Sequence, residues 1–294
     1  MMTFNPVKWL TAALFVLLLS IQPSGSALGK NSDSFSATLV DFSGNVTLQK
    51  PDESIWLPVE KNIPLEKGDR IRTEKNAFAE ILMDDGSLVK LEENAEMTLE
   101  EISAEHDTKK IDSSLFLWFG RVLSNIVKFT HTRSRFNIRT PTMVAGVRGT
   151  EFVVEATDSK ETEVGVFDGS VAVAGLGSDG RKIKESEVII GKGFQTRVLK
   201  NKRPLPPFAH GKKMSAHRKR IERMRAKALD RRRNLKKIIE KRRKARDKIL
   251  KKWKKVRPQK IKNPKTPRKA PKKGAPVAVK KSKNGFRKKP IRRR

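Results

Sequence analysis

The distribution of charge is the feature that most limits how this chain can fold. Residues 201–294 contain 42 Lys and Arg but only 4 Asp and Glu, whereas residues 1–200 contain 24 basic and 28 acidic residues. A segment of such high net charge buries too little apolar surface to offset the entropy that folding costs. The sequence therefore predicts a nearly neutral folded body followed by a polycationic tail.

The N-terminal segment has the layout of a secretory signal peptide. Lys8 precedes an apolar run over Trp9–Leu19, and small residues follow around Ala27. A membrane-spanning helix needs about 20 apolar residues, so this run is short for a span. We predict a cleaved signal peptide over residues 1–27 and an exported protein, with an uncleaved membrane anchor as the alternative. The absence of cysteine excludes a lipid-modified N terminus.

The region 34–199 is predicted to be all-β. Short runs of alternating apolar and polar residues are separated by closely spaced Gly and Asp-Gly turn signals, which is typical of many short strands. A turn at Asp168-Gly169 would pair Val166 with Val171 and place both on one face of a hairpin. We expect this region to fold without the tail.

A second predicted hairpin surrounds Asp85-Gly86 and is less regular. A two-residue turn there pairs Leu82 with Val89 and Met83 with Leu88, which makes both faces of the hairpin apolar. Either this hairpin is buried on both sides or its register differs from the one assumed.

The stretch Thr140–Glu155 changes the phase of its alternation. Its apolar residues fall on odd positions from Met143 to Val147, but on even positions from Phe152 onwards. Since a strand has a side-chain period of two, one extra residue is needed to keep the apolar side chains on one face. We predict a bulge at Gly149 with a positive φ.

Four motifs in this order resemble the FecR domain family. They are Gly68-Asp69 with Arg72-Thr73, Asp85-Gly86-Ser87, Gly120-Arg121-Val122, and Thr140-Pro141 followed by Val147-Arg148-Gly149-Thr150-Glu151-Phe152. The resemblance covers about residues 65–155. It implies an all-β stack of short strands, sandwich-like or solenoid-like, that serves in binding or regulation rather than in catalysis. Structural roles fall to Gly68, Asp69, Asp85, Gly86, Gly120, Arg148, Gly149 and Thr150, and the last three are expected to turn the chain at a corner.

No residue pattern in the chain predicts catalysis, a cofactor or a metal site. The chain has no cysteine, and none of His106, His131, His210 and His217 has a second histidine four residues later. Acidic residues cluster at Glu92, Glu93, Glu96, Glu100 and Glu101. Paired acids can hydrolyse glycosides, but a glutamate run beside Leu and Met is more often a solvated strand face. We predict that the protein is not an enzyme.

The tail divides into three parts. Residues 200–211 form a Pro-rich linker, residues 212–256 have the composition of a basic helix, and residues 257–294 are predicted to be disordered. The helix carries an apolar stripe that Arg231 and Arg242 interrupt, which disfavours a stable coiled coil. The stripe consists of Ile221, Met224, Ala228, Leu235, Ile238, Ile249 and Trp253.

The tail is predicted to bind an anionic surface. A helix with cations around an apolar stripe suits a membrane interface, and clustered Lys and Arg suit any polyanion. We assign this binding to Arg231, Arg232, Arg233, Lys241, Arg242, Arg243, Lys251, Lys252 and Trp253. The predicted function is an exported envelope binding or scaffold module whose β domain meets an unknown protein or glycan. A membrane-anchored FecR-like signalling regulator is one alternative, although only eight residues precede the apolar run, and a nucleic-acid-binding protein is the other.

Overall fold

The computed structural model describes residues 37–51, 53–105, 110–128, 134–157 and 159–256. The predicted signal peptide, His106, His131 and the predicted disordered segment 257–294 lie outside these residues. The described part contains the following strands and helices: β1 (Ala37–Ser43), β2 (Val46–Gln49), β3 (Leu57–Pro58), β4 (Ile63–Leu65), β5 (Arg70–Thr73), β6 (Phe78–Met83), β7 (Leu88–Leu91), β8 (Ala95–Glu105), β9 (Lys110–Asn125), β10 (Arg135–Arg139), β11 (Met143–Val147), β12 (Glu151–Thr157), β13 (Glu161–Asp168), β14 (Ser170–Gly175), β15 (Val188–Gly191), β16 (Phe194–Leu199), β17 (Phe208–Ala209), α1 (Lys212–Ser215), α2 (Arg218–Arg233) and α3 (Leu235–Val256).

The strands form two sheets that share the long strand β9, so the all-β prediction is confirmed. Sheet A has the order β4-β1-β6-β7-β9-β12-β13-β16-β17. Sheet B has the order β3-β2-β5-β8-β9-β10-β11-β14-β15. Neighbouring strands are antiparallel except β9 and β10, which are parallel. The N-terminal part of β9 pairs in sheet B, and the part that begins at Gly120 pairs in sheet A.

One hydrophobic core is enclosed by side chains from both sheets. Leu39 and Ile81 of sheet A belong to the same buried cluster as Leu48, Ile71 and Val173 of sheet B, and each is at most 1% exposed. Residues that alternate with these point away from the core, as the period of two requires. The sandwich form of the predicted stack is therefore the one that the chain adopts.

The outer face of sheet A is covered by the helices. A second buried cluster joins Leu82, Leu88 and Phe167 of this sheet to Ile221 and Met224 of α2. This cover explains why both faces of the hairpin around Asp85-Gly86 are apolar. The assumed register was wrong by one residue, because the turn spans Asp84, Asp85 and Gly86 and places Leu82 opposite Leu88.

The predicted hairpin at Asp168-Gly169 does not form. Strand β13 pairs with β12 and β16 in sheet A, whereas β14 pairs with β11 and β15 in sheet B. Gly169, with a φ of +78°, lies where the chain crosses between the sheets. Val166 and Val171 are both fully buried because the two inner faces share one core, so their common polarity does not reveal which strands pair.

The turn around Gly149 is the predicted corner. Strand β11 lies in sheet B and β12 in sheet A, and Gly149 between them has a φ of +64°. Val147 and Phe152 both face the core, which confirms the predicted change of phase. The Thr150 hydroxyl donates a hydrogen bond to the Ser170 carbonyl oxygen at 2.8 Å and so ties this corner to the crossing at Gly169.

We expect Gly149→Val to destabilise the protein by about 1–3 kcal/mol, because a β-branched residue is strained at this φ. A Cβ atom at Gly149 would also lie 3.0 Å from the Cβ of Lys128. Urea unfolding measures the loss. Arg148→Ala is the control and should cost less, since the Arg148 side chain is exposed. A neutral Gly149→Val would show that the corner does not require a glycine.

Candidate binding surfaces

The helices bind the outer face of sheet A through charge as well as through apolar contact. Glu80 and Glu92 are nearly buried, and both accept hydrogen bonds from cations of α2. Cations of the helices lie against carboxylates of the β domain in the pairs Lys213–Glu155, Arg220–Glu92, Arg225–Glu151, Lys227–Glu80 and Arg242–Asp84. A basic helix that would repel itself in water is thus stabilised by its own domain.

The structure places four of the nine predicted anion-binding residues against the protein itself. Arg231 pairs with Glu80, Arg232 donates to the Gly86 carbonyl oxygen, Arg242 binds Asp84, and Lys252 pairs with Glu60. The side chains of Arg233, Lys241, Arg243 and Lys251 are exposed. Trp253 belongs to α3, but its side chain lies outside the described residues.

The apolar stripe of the helices, which the sequence analysis assigns to an anionic interface, lies against the β domain instead. Ile221, Met224, Ala228 and Ile238 are each at most 9% exposed and pack with side chains of sheet A, and Ile249 joins the main core. Among the described helices, none is both long and apolar enough to cross a membrane. The helical layer therefore leaves mainly charged side chains on its exposed surface.

The motif residues Gly68 and Asp69 build a tight, buried turn. Gly68 has a φ of +87° and packs against Pro51. Asp69 is fully buried, and its Oδ2 accepts hydrogen bonds from Lys50 Nζ at 2.8 Å and from the Glu66 amide at 2.9 Å. Burial raises the pKa of Asp69 to about 6 although Lys50 opposes the shift. Its Oδ1 has no hydrogen-bond partner in the described part of the chain.

The raised pKa of Asp69 predicts a loss of stability as pH rises. Because the folded-state pKa of about 6 exceeds the ordinary value of 3.8, the folded state binds more protons between these values. This carboxyl should therefore lower the free energy of unfolding by about 2 kcal/mol between pH 4 and pH 7. Urea unfolding of wild type and Asp69→Asn over this range isolates the effect, since the amide does not titrate. A difference that grew in favour of wild type with rising pH would mean that Lys50 outweighs burial.

The motif residues Asp85 and Gly86 shape the turn between β6 and β7. Asp85 accepts hydrogen bonds from the Ser87 amide at 2.7 Å and the Ser87 hydroxyl at 3.0 Å. Burial raises the pKa of Asp85 above its ordinary value. Gly86 has a φ of +86°, and its carbonyl oxygen accepts the hydrogen bond from Arg232. The turn is therefore a structural element on which α2 is anchored.

The clustered glutamates are each bound within the protein. Their partners are Arg121 and Arg220 for Glu92, the Asn76 amide for Glu93, Arg70 and Arg72 for Glu96, Arg139 and Ser114 for Glu100, and Lys67 for Glu101. Carboxylates that already accept hydrogen bonds from neighbouring groups of the protein are poorly placed to transfer protons to a substrate. Within the described residues, no group of His, Asp and Glu side chains could hold a metal ion.

The outer face of sheet B, unlike that of sheet A, carries a row in which guanidinium groups lie against aromatic rings. We call this row the arginine–aromatic ladder and define it as Trp56, Arg72, Arg70, Trp118, Phe116 and Arg139. Arg72 lies 4.2 Å from the centroid of Trp56, Arg70 lies 5.3 Å from that of Trp118, and Arg139 lies 5.9 Å from that of Phe116. The centroids of Phe116 and Trp118 are 4.6 Å apart with their planes at 60°.

Hydrogen bonds from the strands hold the ladder in place. Glu96 is almost fully buried and accepts from both Arg70 and Arg72, and the Trp118 indole donates to the Thr98 hydroxyl at 2.9 Å. Each cation–aromatic contact adds about 0.5–1 kcal/mol at an exposed site. Trp118 nevertheless remains 42% exposed, so this rigid row of side chains is open to solvent.

Sequence reasoning missed the ladder although part of its signal is present. Arg70 and Arg72 are two residues apart, as are Phe116 and Trp118, so each pair lies on one face of its strand. Their alternation with Ile71 and Leu117, which face the core, could have identified this face. Only the pairing of β5, β8, β9 and β10 brings the two pairs together with Arg139.

The fold is that of a two-sheet all-β domain with a helical layer on one sheet. The family described as FecR protein matches residues 69–172, which confirms the resemblance seen in the sequence motifs. The matched segment runs from Asp69 at the first turn to Ala172 in β14, so it covers about a third of the chain.

Comparison with solved structures finds two crystal structures of a candidate anti-sigma factor from Parabacteroides distasonis ATCC 8503. Each has 17% sequence identity to this chain and a TM-score of 0.40, over 50% of this chain and 62% of the other. The chain therefore spans less than two thirds of the length of these structures. No curated protein matches the chain in sequence.

Proposed function

We propose that this protein is an exported, non-catalytic binding module of the cell envelope, tethered to an anionic surface by its polycationic C-terminal segment. The FecR domain match supports a binding or regulatory role. The layout of residues 1–27 supports export. Sequencing the N terminus of the natural protein tests export: we expect it near Leu28, and an intact Met1 on a cytoplasmic protein would contradict it.

The proposed tether rests on one observation: the cations of the helices that face sheet A have carboxylate partners within the protein, whereas residues 257–294 contain no acidic residue. Cations of α1 to α3 that face sheet A are paired with its carboxylates. Residues 257–294 add 17 Lys and Arg and contain no Asp or Glu. Each basic residue near an anionic lipid surface contributes about 1 kcal/mol to binding. A polyanion outside the protein is therefore the natural partner of this segment.

Vesicle binding tests the tether. The full-length chain should bind vesicles that contain phosphatidylglycerol and should be released between 0.1 M and 1 M salt, as the Debye length falls from about 10 Å to about 3 Å. A variant that ends at Val256 keeps the whole compact unit of the described residues and should bind much more weakly. Vesicles of phosphatidylcholine alone are the control. Equal binding by the two chains, or binding that salt does not weaken, would show that residues 257–294 are not the tether.

A membrane-anchored signalling regulator is the second candidate, and the FecR domain match is the observation that favours it. Cell fractionation distinguishes a protein tethered by charge from one anchored in the membrane. A tethered protein is released from the envelope by high salt, whereas a protein anchored through residues 9–21 stays in the membrane until detergent is added. A salt-stable membrane protein would therefore replace the first proposal by the second.

A further inference from the structure

We propose that the arginine–aromatic ladder of sheet B is a binding site for an acidic glycan whose sugar rings carry carboxylate groups. This inference deepens the proposed binding role of the β domain. It concerns a surface that does not include the polycationic tail, so the two proposals can fail separately.

The ladder offers free guanidinium edges in fixed positions. Arg72 donates to Glu96 through Nε and Nη2, and Arg139 donates to Glu100 through Nη1. In the described part of the chain, Arg72 Nη1 and Arg139 Nη2 donate no hydrogen bond. Both side chains are about two fifths exposed, at 42% and 38%. A planar donor held in place by a neighbouring carboxylate loses little entropy when it binds a second carboxylate.

The charges of the ladder favour an anionic ligand over a cationic one. The ladder contains Arg70, Arg72 and Arg139, and the carboxylates that hold them are Glu96 and Glu100. Because Glu96 is almost fully buried beneath two guanidinium groups, it is inaccessible to a ligand. Glu100 is 29% exposed, so solvent reaches three guanidinium edges, which only donate hydrogen bonds, and one carboxylate edge, and the positive charge is in excess.

The exposed aromatic rings of the ladder favour a sugar as the anionic ligand. A pyranose ring presents C–H groups on its faces and hydroxyl groups at its edges, so its face packs on an indole or phenyl ring through dispersion and apolar burial. Trp118 is 42% exposed and supplies such a surface. In an acidic glycan, the C–H faces of the sugar rings would pack on the aromatic rings of the ladder, and the carboxylates would accept hydrogen bonds from its guanidinium groups.

The length of the ladder calls for an oligomer rather than a single sugar. Arg70 in β5 and Arg139 in β10 are separated by β8 and β9, so three strand spacings lie between them. With strands about 4.8 Å apart, the two guanidinium-bearing strands are about 14 Å from each other. Only a ligand of several rings reaches from one to the other.

Calorimetric titration of the full-length protein with a galacturonate oligomer at 0.1 M salt tests the inference, and a parallel titration of the variant that ends at Val256 measures the contribution of residues 257–294. We expect Trp118→Ala and Arg72→Lys each to weaken binding about tenfold, because the first removes the apolar platform and the second the planar fork. Matched controls are Phe194→Ala on sheet A, where the ring is 46% exposed, and Arg181→Lys, where the side chain is 87% exposed. Both controls should bind like wild type.

The methyl-esterified oligomer has the same rings without the charge and should bind about tenfold more weakly than the free acid. Equal binding of the two oligomers would overturn the assignment to an acidic glycan. If wild type did not bind the oligomer, or if both ladder variants bound it with wild-type affinity, the proposed site would be wrong. The remaining ligand for this face would then be a protein. Circular dichroism of each variant should match wild type, which excludes misfolding as the cause of a loss.

Discussion

Gly120→Ala should destabilise the protein by about 3–5 kcal/mol, the largest effect that we expect from adding one methyl group. Gly120 lies in β9 at the point where this strand passes from sheet B to sheet A, and its φ is +92°. A Cβ atom there would lie 2.5 Å from the Cα of Ala95 and 2.8 Å from the Asn94 carbonyl oxygen, and it would overlap the Cβ of Ala95. Backbone atoms of a central strand cannot move aside cheaply, so overpacking adds to the strain.

Gly193→Ala is the matched control for this prediction. Gly193 has a similar φ of +85°, but no atom lies within 4 Å of the position that its Cβ would occupy. Gly193→Ala should lower the free energy of unfolding by about 1–2 kcal/mol, because only the left-handed backbone conformation opposes the added methyl group. Urea unfolding gives both values, and their difference measures the clash. Equal losses would mean that β8 and β9 are not in close contact at Gly120.

Arg242→Ala should cost about 3–5 kcal/mol, because it removes the guanidinium that binds both carboxylate oxygens of Asp84 at a largely buried site. Arg242 is 8% exposed, and its Nη1 and Nη2 donate to the two carboxylate oxygens of Asp84 at 2.6 and 3.0 Å. Nη1 also donates to the hydroxyl of Thr38 in β1 at 3.2 Å. The loss should release α3 from sheet A, which hydrogen exchange of the α3 amides reports alongside urea unfolding.

Two further variants test the interpretation of this ion pair. Arg243→Ala removes the same charge from the neighbouring exposed position and should change the free energy of unfolding by less than about 1 kcal/mol. In the background of Asp84→Ala, the loss of Arg242 should cost clearly less than in wild type, since the carboxylate that Arg242 binds is already absent. Equal effects of Arg242→Ala and Arg243→Ala would show that α3 is not bound to sheet A in solution.

The sequence alone was sufficient for the all-β class of this domain and for one of its corners, but it left a sandwich and a solenoid open. Closely spaced turn signals predicted short strands, and the change of phase between Val147 and Phe152 predicted the corner at Gly149. These features are local, since a period of two and a positive φ depend on neighbouring residues only. The choice of partner strands is not local, which is why the hairpin at Asp168-Gly169 was wrong: both strands face one core but belong to different sheets.

Only the tertiary structure shows where the basic helices pack. Arg242 interrupts the apolar stripe in the sequence, and this interruption was interpreted as evidence against a stable coiled coil. In the structure it faces a carboxylate more than 150 residues earlier in the chain, at Asp84. The apolar outer face at Leu82 and Leu88 indicated that something covers the hairpin, but no local pattern could identify the cover as α2.

The sequence by itself determined which segments carry strands, where the chain turns at glycine, and that its charge is concentrated near the C terminus. Only the tertiary structure decided which cations are neutralised within the protein, and that Trp56, Arg70, Arg72, Trp118 and Arg139 form one exposed surface. The physical reason is the range of the interactions. Strand period and turn preference act between neighbouring residues, whereas ion pairs and ring contacts join side chains that the order of strands alone brings together.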